Sequence, residues 1–221
     1  MAAPYPPAVA RADWDAQEGV WGLHRDWQLG LFFFLSSDPR LPQSVRDSAY
    51  DFGLPLDEHV ACGSFPCQLY VREALRMQSD FVLTQHDVSD DVSQTDSVGR
   101  GAYTIDTMHA WCFPDPRDAA ASILCEGGMQ SPSFLNKTLV PFQIPLRALV
   151  PKRSECTNML VPVALSSSHV AFNSVRLEPT WMTLGESAGV AAVMAARADV
   201  DVQDLDVPAL QARLWALGQI L

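Results

Sequence analysis

The sequence predicts an α/β fold of the α+β kind: a mixed sheet with helices around it, closed by a strand, a polar loop and one long helix. Three observations lead there. The stretch 158–196 passes from an apolar run, Met159 to Val163, through a Ser- and His-bearing loop into helical spacing. Near the other end, Val20, Leu23, Trp27, Leu31 and Phe34 recur at three and four, which predicts a helix beginning at Asp13. Between them, the apolar runs 81–84, 120–124 and 139–150 are short enough to be strands.

Taken in order, residues 1–12 are rich in Pro and Ala and read as a poorly ordered arm. The first helix should stop near Ser36-Ser37-Asp38-Pro39, and its aromatic residues read as core. A short helix is expected from Pro42 to Tyr50, then a turn at Gly53-Leu54-Pro55. Pro66 is expected to open a helix reaching about Met77, with Arg72, Glu73 and Arg76 facing outward. The strand 81–84 would deliver Gln85, His86 and Asp87 at its end, a common location for a site. Pro141 and Pro145 interrupt the run 139–150 and place it at a sheet edge. Pro179 sits in the first turn of the long helix, where its missing N–H costs nothing. Asp206 can cap a final helix that shows Leu210, Leu214 and Leu217 on one face and ends at Gly218.

Composition sets outer bounds on function. The chain has 221 residues, 48% hydrophobic and 19% charged, a globular balance. A formal charge of −11 with no Lys/Arg cluster argues against a nucleic-acid partner, because neutralising phosphates needs a basic face. The longest apolar run, Leu29 to Leu35, is far below the ~20 residues of a membrane span. The first residues lack a charged segment followed by an apolar one, so no secretory leader is expected. Five cysteines are an odd count for a disulfide framework and point to free thiols in a reducing, cytoplasmic compartment. Their closest spacing, Cys62-x4-Cys67, suits neither an iron–sulfur cluster nor zinc, and no metal site is expected.

Two chemistries compete for the long helix. Gly185 to Gly189 spell GESAG, which matches the G-x-S-x-G elbow of serine hydrolases and would make Ser187 a nucleophile. That elbow needs a histidine downstream, and all five histidines (His24, His59, His86, His109 and His169) come earlier. The alternative is a helix facing a cofactor. Its N-terminus favours an anionic group, and Gly185 and Gly189, one turn apart, would let something large approach the backbone.

The runs NMLVPVALSSSHVAFNSVRLEP, LGESAGVAA, LVPKRSECTN, QLYVREALRM, TQHD and WQLGLFFFLSSDPRLP support the second reading. Together, in their order along the chain, they resemble the C-terminal portion of the FAD-dependent oxidoreductases, two-dinucleotide-binding-fold flavoproteins related to the flavin-carrying chain of heterodisulfide reductase. The resemblance implies FAD as cofactor and hydride transfer between flavin and a small or carbohydrate-like substrate. It implies a substrate-facing region over 13–157, and over 158–221 the last strand and helix of a split FAD-binding domain. Arg176, Leu177 and Glu178 would contact the flavin, with Gly185 and Gly189 permitting close packing. His169 is the first candidate for proton handling, followed by His109 and His86. Arg153, Tyr103 and Asp106 would face substrate, although Arg153 could equally pair with Glu155. Relatives of this kind can carry iron–sulfur clusters, which the cysteine spacing here does not favour.

The sequence departs from the family pattern in three places. Asp106-Thr107-Met108-His109 stands where the family has Asp-Ser-His-Asn, and Ser64-Phe65-Pro66-Cys67 stands where it has Trp-Pro-His. No G-x-G-x-x-G occurs; Gly99-Arg100-Gly101 lacks the third glycine. The N-terminal βαβ unit that holds the ADP half of FAD is therefore expected to be absent, and the chain to be a fragment. A separate chain could supply that unit, or this one could be a degenerate, non-catalytic fragment that binds a partner.

Overall fold

The computed structural model describes residues 13–89, 92–107, 111–114, 123–126 and 141–221. They belong to two compact units, Met1–Leu75 and Arg76–Leu221.

In the first unit, helix α1 spans Trp14–Ser37, opened by Asp13, whose carboxylate accepts from the Ala16 N–H at 3.0 Å. It stops where expected, at Asp38. Helix α2, Gln43–Tyr50, follows and packs against α1. The expectation of an aromatic core on α1 is overturned: none of its residues is buried, Leu23 is 72% exposed and Trp27 54%. A helix of 24 residues is about 36 Å long, and the eight residues of α2 are too few to cover its apolar stripe.

At the end of α1 the Arg40 guanidinium grips Asp38 at 2.7 Å and holds its carboxyl at about 2, below the ordinary 3.8. A carboxyl lowered on folding stabilises the fold above its ordinary range, and that contribution fades as pH falls toward 2. Carbon-detected titration of Asp38 should give a midpoint near 2 in the native chain. In Arg40→Ala it should return toward the ordinary value; an unmoved midpoint would show that Arg40 is not the cause.

The helix expected from Pro66 to Met77 does not form. Cys67 is bonded to Cys62, and farther on the Met77 N–H donates to the Ala164 carbonyl at 2.8 Å. Tertiary partners take up the backbone groups that a helix would have used. The cysteines also depart from expectation. Cys62 and Cys67 form a disulfide, Cys112 is disulfide-bonded, and Cys156 is free. Left-handed backbone at Gly63 and Ser64 turns the chain so that the Cys62 and Cys67 Cα atoms lie 5.5 Å apart, a geometry that an odd cysteine count conceals. The cysteine argument for a reducing compartment loses its basis. No described helix is long and apolar enough to cross a membrane.

The second unit is α+β, as expected. Helix α3 covers Gln85–Ser89, and its Asp87 accepts from both the N–H and the hydroxyl of Thr84 at 2.7 Å. Strand β1, Ser97–Gly101, pairs antiparallel with β4, Phe142–Pro145; β2, Trp111–Pro114, pairs antiparallel with β3, Ile123–Glu126. The strand expected at 120–124 corresponds in part to β3; residues 120–122 lie outside the described residues.

The expected strand from Met159 to Val163 does not form a ladder, and the chain bends at Pro162 and Val163. Only Val161 bonds across, to the Leu149 carbonyl. Pro162 has no N–H with which to continue. The segment regains a partner at Ser167, which bridges Leu83 in parallel. The polar loop beyond contains a helix of its own: α4, His169–Val175, capped by Ser168. Arg176 and Leu177 separate it from α5, Glu178–Ala198, which ends at Asp199 in left-handed conformation. Helix α6, Val207–Ala216, is capped by Asp206 and buries Leu210 and Leu214, with Gly218 at positive φ just beyond it. Leu217, expected on the same face, is exposed.

One core joins Leu83, Val98, Phe142, Ile144, Leu149, Leu165, Leu184, Leu210 and Leu214, with α5 lying against β1 and α6. The glycines that close approach demands are on β1. A Cβ on Gly99 would stand 2.9 Å from Thr183 Cγ2, and one on Gly101 2.4 Å from the Phe142 ring. Gly185 and Gly189 are exposed, with nothing within 4 Å of an added Cβ. The exposed side of α5 thus carries Gly185 and Gly189 alongside larger residues such as Met182, Glu186 and Val193.

Candidate functional site

The start of α5 is the best-built polar feature of the second unit. Leu177 takes the N-cap position in extended conformation and offers no side-chain hydrogen bond, and Pro179 lies in the first turn. The first-turn amides thus lack a side-chain acceptor of the usual kind, and the end of this 21-residue helix carries partial positive charge. Directly before it, Arg176 caps α4 and is only 8% exposed; its guanidinium donates to Asp106 at 3.1 Å, and Asp106 is 29% exposed.

The serine run divides its work. Ser166 donates to the Phe81 carbonyl at 2.6 Å and accepts from the Ser79 N–H. Ser168 caps α4 through the Ala171 N–H. Ser167 is left over: its hydroxyl is buried with no hydrogen-bond partner, as are those of Ser174 and Thr104. A buried hydroxyl without a partner costs about 1–3 kcal/mol, so three in one unit are places where a ligand or water would restore bonding. Arg76 donates to the Ser167 carbonyl at 3.1 Å and stacks over Phe172, whose ring lies 6.3 Å from Trp181.

His169 is the first residue of α4 and not a loop residue, contrary to expectation; it is exposed, and its carbonyl accepts from Asn173 at 2.9 Å. His86 is exposed on α3, which packs against α4. His109 lies outside the described residues. Asp106 meets Arg176, while Tyr103 is partly buried on the same extended segment. Leu177 and Glu178 stand at the start of α5, with Gly185 and Gly189 farther along it. Arg153 pairs with Asp201 at 2.7 Å and with Asp204, not with Glu155, because the turn Val202–Asp204 after α5 returns those carboxylates to it. The hydrogen bond that Arg153 donates to Asp204 raises the Arg153 pKa above its ordinary value.

Ser187 lies mid-helix on α5 and is 1% exposed, with its hydroxyl against the Val98 carbonyl and the Gln219 side chain. A nucleophile must reach its substrate. Ser187 cannot, so the hydrolase reading of GESAG has no structural basis.

The sequence profile of the family described as FAD dependent oxidoreductase matches residues 9–214. The chain belongs to that family. No curated protein and no solved structure matches it. As a member of the FAD-dependent oxidoreductases it is expected to use FAD, and the uncapped start of α5 is chemically suited to the polar edge of a flavin. The sequence contains no G-x-G-x-x-G, the glycine fingerprint that lets a helix N-terminus reach a pyrophosphate. Among the described residues no group of three or more His, Cys, Asp or Glu could hold a metal ion.

Thr104, Ser174 and Arg76 were not identified from the sequence. The serines of 166–168 were legible as a polar loop. Which hydroxyl would remain unpartnered depends on Phe81 and Ser79, more than 80 positions away.

Proposed function

We propose that this chain is the flavin-facing, C-terminal part of an FAD-dependent oxidoreductase acting on a small or carbohydrate-like substrate, with the ADP half of FAD held by a βαβ unit on a separate chain. The observation that carries this reading is the uncapped start of α5, set directly after the buried Arg176 and its partly buried partner Asp106. Bound FAD would supply the hydride chemistry.

The chain's own residues would bind and orient. Backbone amides near Leu177 and Glu178 would donate to an electron-rich edge, and the helix end would favour negative charge there. Arg176, held by Asp106, would add fixed positive charge beside them. Ser167, Ser174 and Thr104 would gain acceptors or donors in place of none. Gly185 and Gly189 would leave the side of α5 open to close packing. His169 and His86, on two helices that pack together, and His109 are the candidates for moving a proton to or from substrate; Tyr103 and Arg153 are candidates to meet it.

A titration of the purified chain with FAD, followed by absorbance and flavin fluorescence, tests the division of labour. The chain alone should bind FAD with a Kd of about 100 µM or weaker, near −5.5 kcal/mol, and Arg176→Ala should weaken it further. Binding in the nanomolar range would show that the chain holds the whole cofactor and would overturn the split-protein reading.

A second reading, a non-catalytic fragment that binds a partner, draws on the exposed apolar stripe of α1. It predicts no FAD binding even when a βαβ-bearing partner is added.

A further inference from the structure

The first unit has almost no core. Among its described residues Phe65 alone is buried, at 8% exposure, with its ring edge-on to Trp21 at 6.1 Å. With so little core, a covalent staple weighs heavily in the order of such a unit. Phe65 sits inside the loop closed by Cys62 and Cys67.

The loop's backbone is of a kind that does not persist unaided. His59 and Ser64 have φ of 52° and 62°, a region disfavoured for residues with a side chain, and Gly63 has 67°. Its hydrogen bonds are local, from Cys62 and Ser64 N–H to the His59 carbonyl and from Gly63 to Val60. The disulfide closes the loop on itself, and the Phe65–Trp21 contact ties it to α1.

The two cysteines differ in exposure. Cys62 is partly buried, while Cys67 is exposed and lines a cleft of roughly 400 Å³ together with Trp14, Gln17, Glu18 and Trp21. The same cleft therefore holds the exposed half of the disulfide, Cys67, and the ring on which Phe65 rests.

We infer that Cys62–Cys67 is a reducible latch that fixes Phe65 against Trp21 and so sets the order of the first unit. A dithiol reductant opens it. One thiolate attacks the Cys67 Sγ, the Sγ–Sγ bond breaks, and Cys62 leaves as a thiolate that takes a proton from water. The second thiol then displaces Cys67, leaving two protein thiols and an oxidised dithiol. Freed of the bond, the loop relaxes from its left-handed conformations and Phe65 withdraws from Trp21. Oxidation by a small disulfide reverses each step. This inference does not depend on the flavin assignment.

Hydrogen exchange of the full chain, oxidised and in dithiothreitol, tests it, with alkylation mapping to report which cysteines are reduced. Amides of α1 around Trp21 should exchange ~10-fold faster or more once Cys62 and Cys67 are reduced, and should recover when the bond re-forms. Cys62→Ser/Cys67→Ser should show the fast exchange without reductant. Because Cys112 is also disulfide-bonded, Cys112→Ser should retain the reductant response. Unchanged exchange on reduction, or exchange that stays fast after the bond has re-formed, would overturn the latch.

Discussion

Gly101→Ala should destabilise the second unit by about 3 kcal/mol, at the upper end of what overpacking a core costs. The added methyl would lie 2.4 Å from the Phe142 Cζ atom and 2.8 Å from Cε2, inside any real carbon–carbon contact. Phe142 cannot swing away, because it is 2% exposed within the main core and stands opposite Gly101 in the β1–β4 register. Either the ring leaves its pocket or the two strands part. Urea unfolding would show the loss as a lowered midpoint with the slope kept. A second substitution, Phe142→Leu, should recover part of it in the Gly101→Ala background while costing stability alone, the non-additivity expected of groups in contact. A Gly101→Ala chain as stable as the parent would mean that β1 and β4 do not pair in this register.

Asp106→Ala is expected to cost about 2–3 kcal/mol, less than the 3–5 typical of breaking a fully buried pair because Asp106 keeps some contact with water. Arg176 is the more buried member and would lose its carboxylate partner while staying inside. Asp106→Asn, which keeps an acceptor but not the charge, should lose about half as much. The same denaturant series measures both, and a double-mutant cycle with Arg176→Ala isolates the pair. If Asp106→Ala falls within about 0.5 kcal/mol of the parent, the pair contributes nothing to this fold. Residual FAD affinity should fall with Asp106→Ala, since the guanidinium would no longer be held beside the start of α5.

Local patterns were legible where local physics decides. Asp13, Ser168 and Asp206 accept from backbone amides three residues on. Of these, Asp206 was readable as a cap beforehand, and Asp13 as the start of its helix. Pro179 marked the start of α5, and Pro141 and Pro145 bracketed β4. The departures arise where distant chain decides. Periodicity in α1 showed which residues share a face but not whether anything covers it. Pro66 suggested a helix, yet a disulfide and a partner at Ala164 claimed that segment. Gly185 and Gly189 looked like the close-contact glycines, whereas Gly99 and Gly101 are the ones pressed by neighbours. Glycine in a sequence marks permission, and the use made of it depends on what packs opposite. In the candidate site, motif order singled out Arg176, Leu177 and Glu178, but the pairing of Arg176 with Asp106 and the buried hydroxyls without partners required the folded chain.

Helix α5 lies against β1 and α6, and the Ser187 hydroxyl reaches a carbonyl 89 positions earlier. Strand β1 therefore has little apolar cover until chain made much later arrives. During synthesis the ribosome releases residues at about 5–20 per second, so the β1 region would wait several seconds in the open before α5 could screen it. Val98 and Ile144, fully buried in the end state, would be unprotected through that interval. The vulnerable form of this protein is thus its nascent one, and its yield in a cell should depend on chaperone capacity more than its final stability suggests.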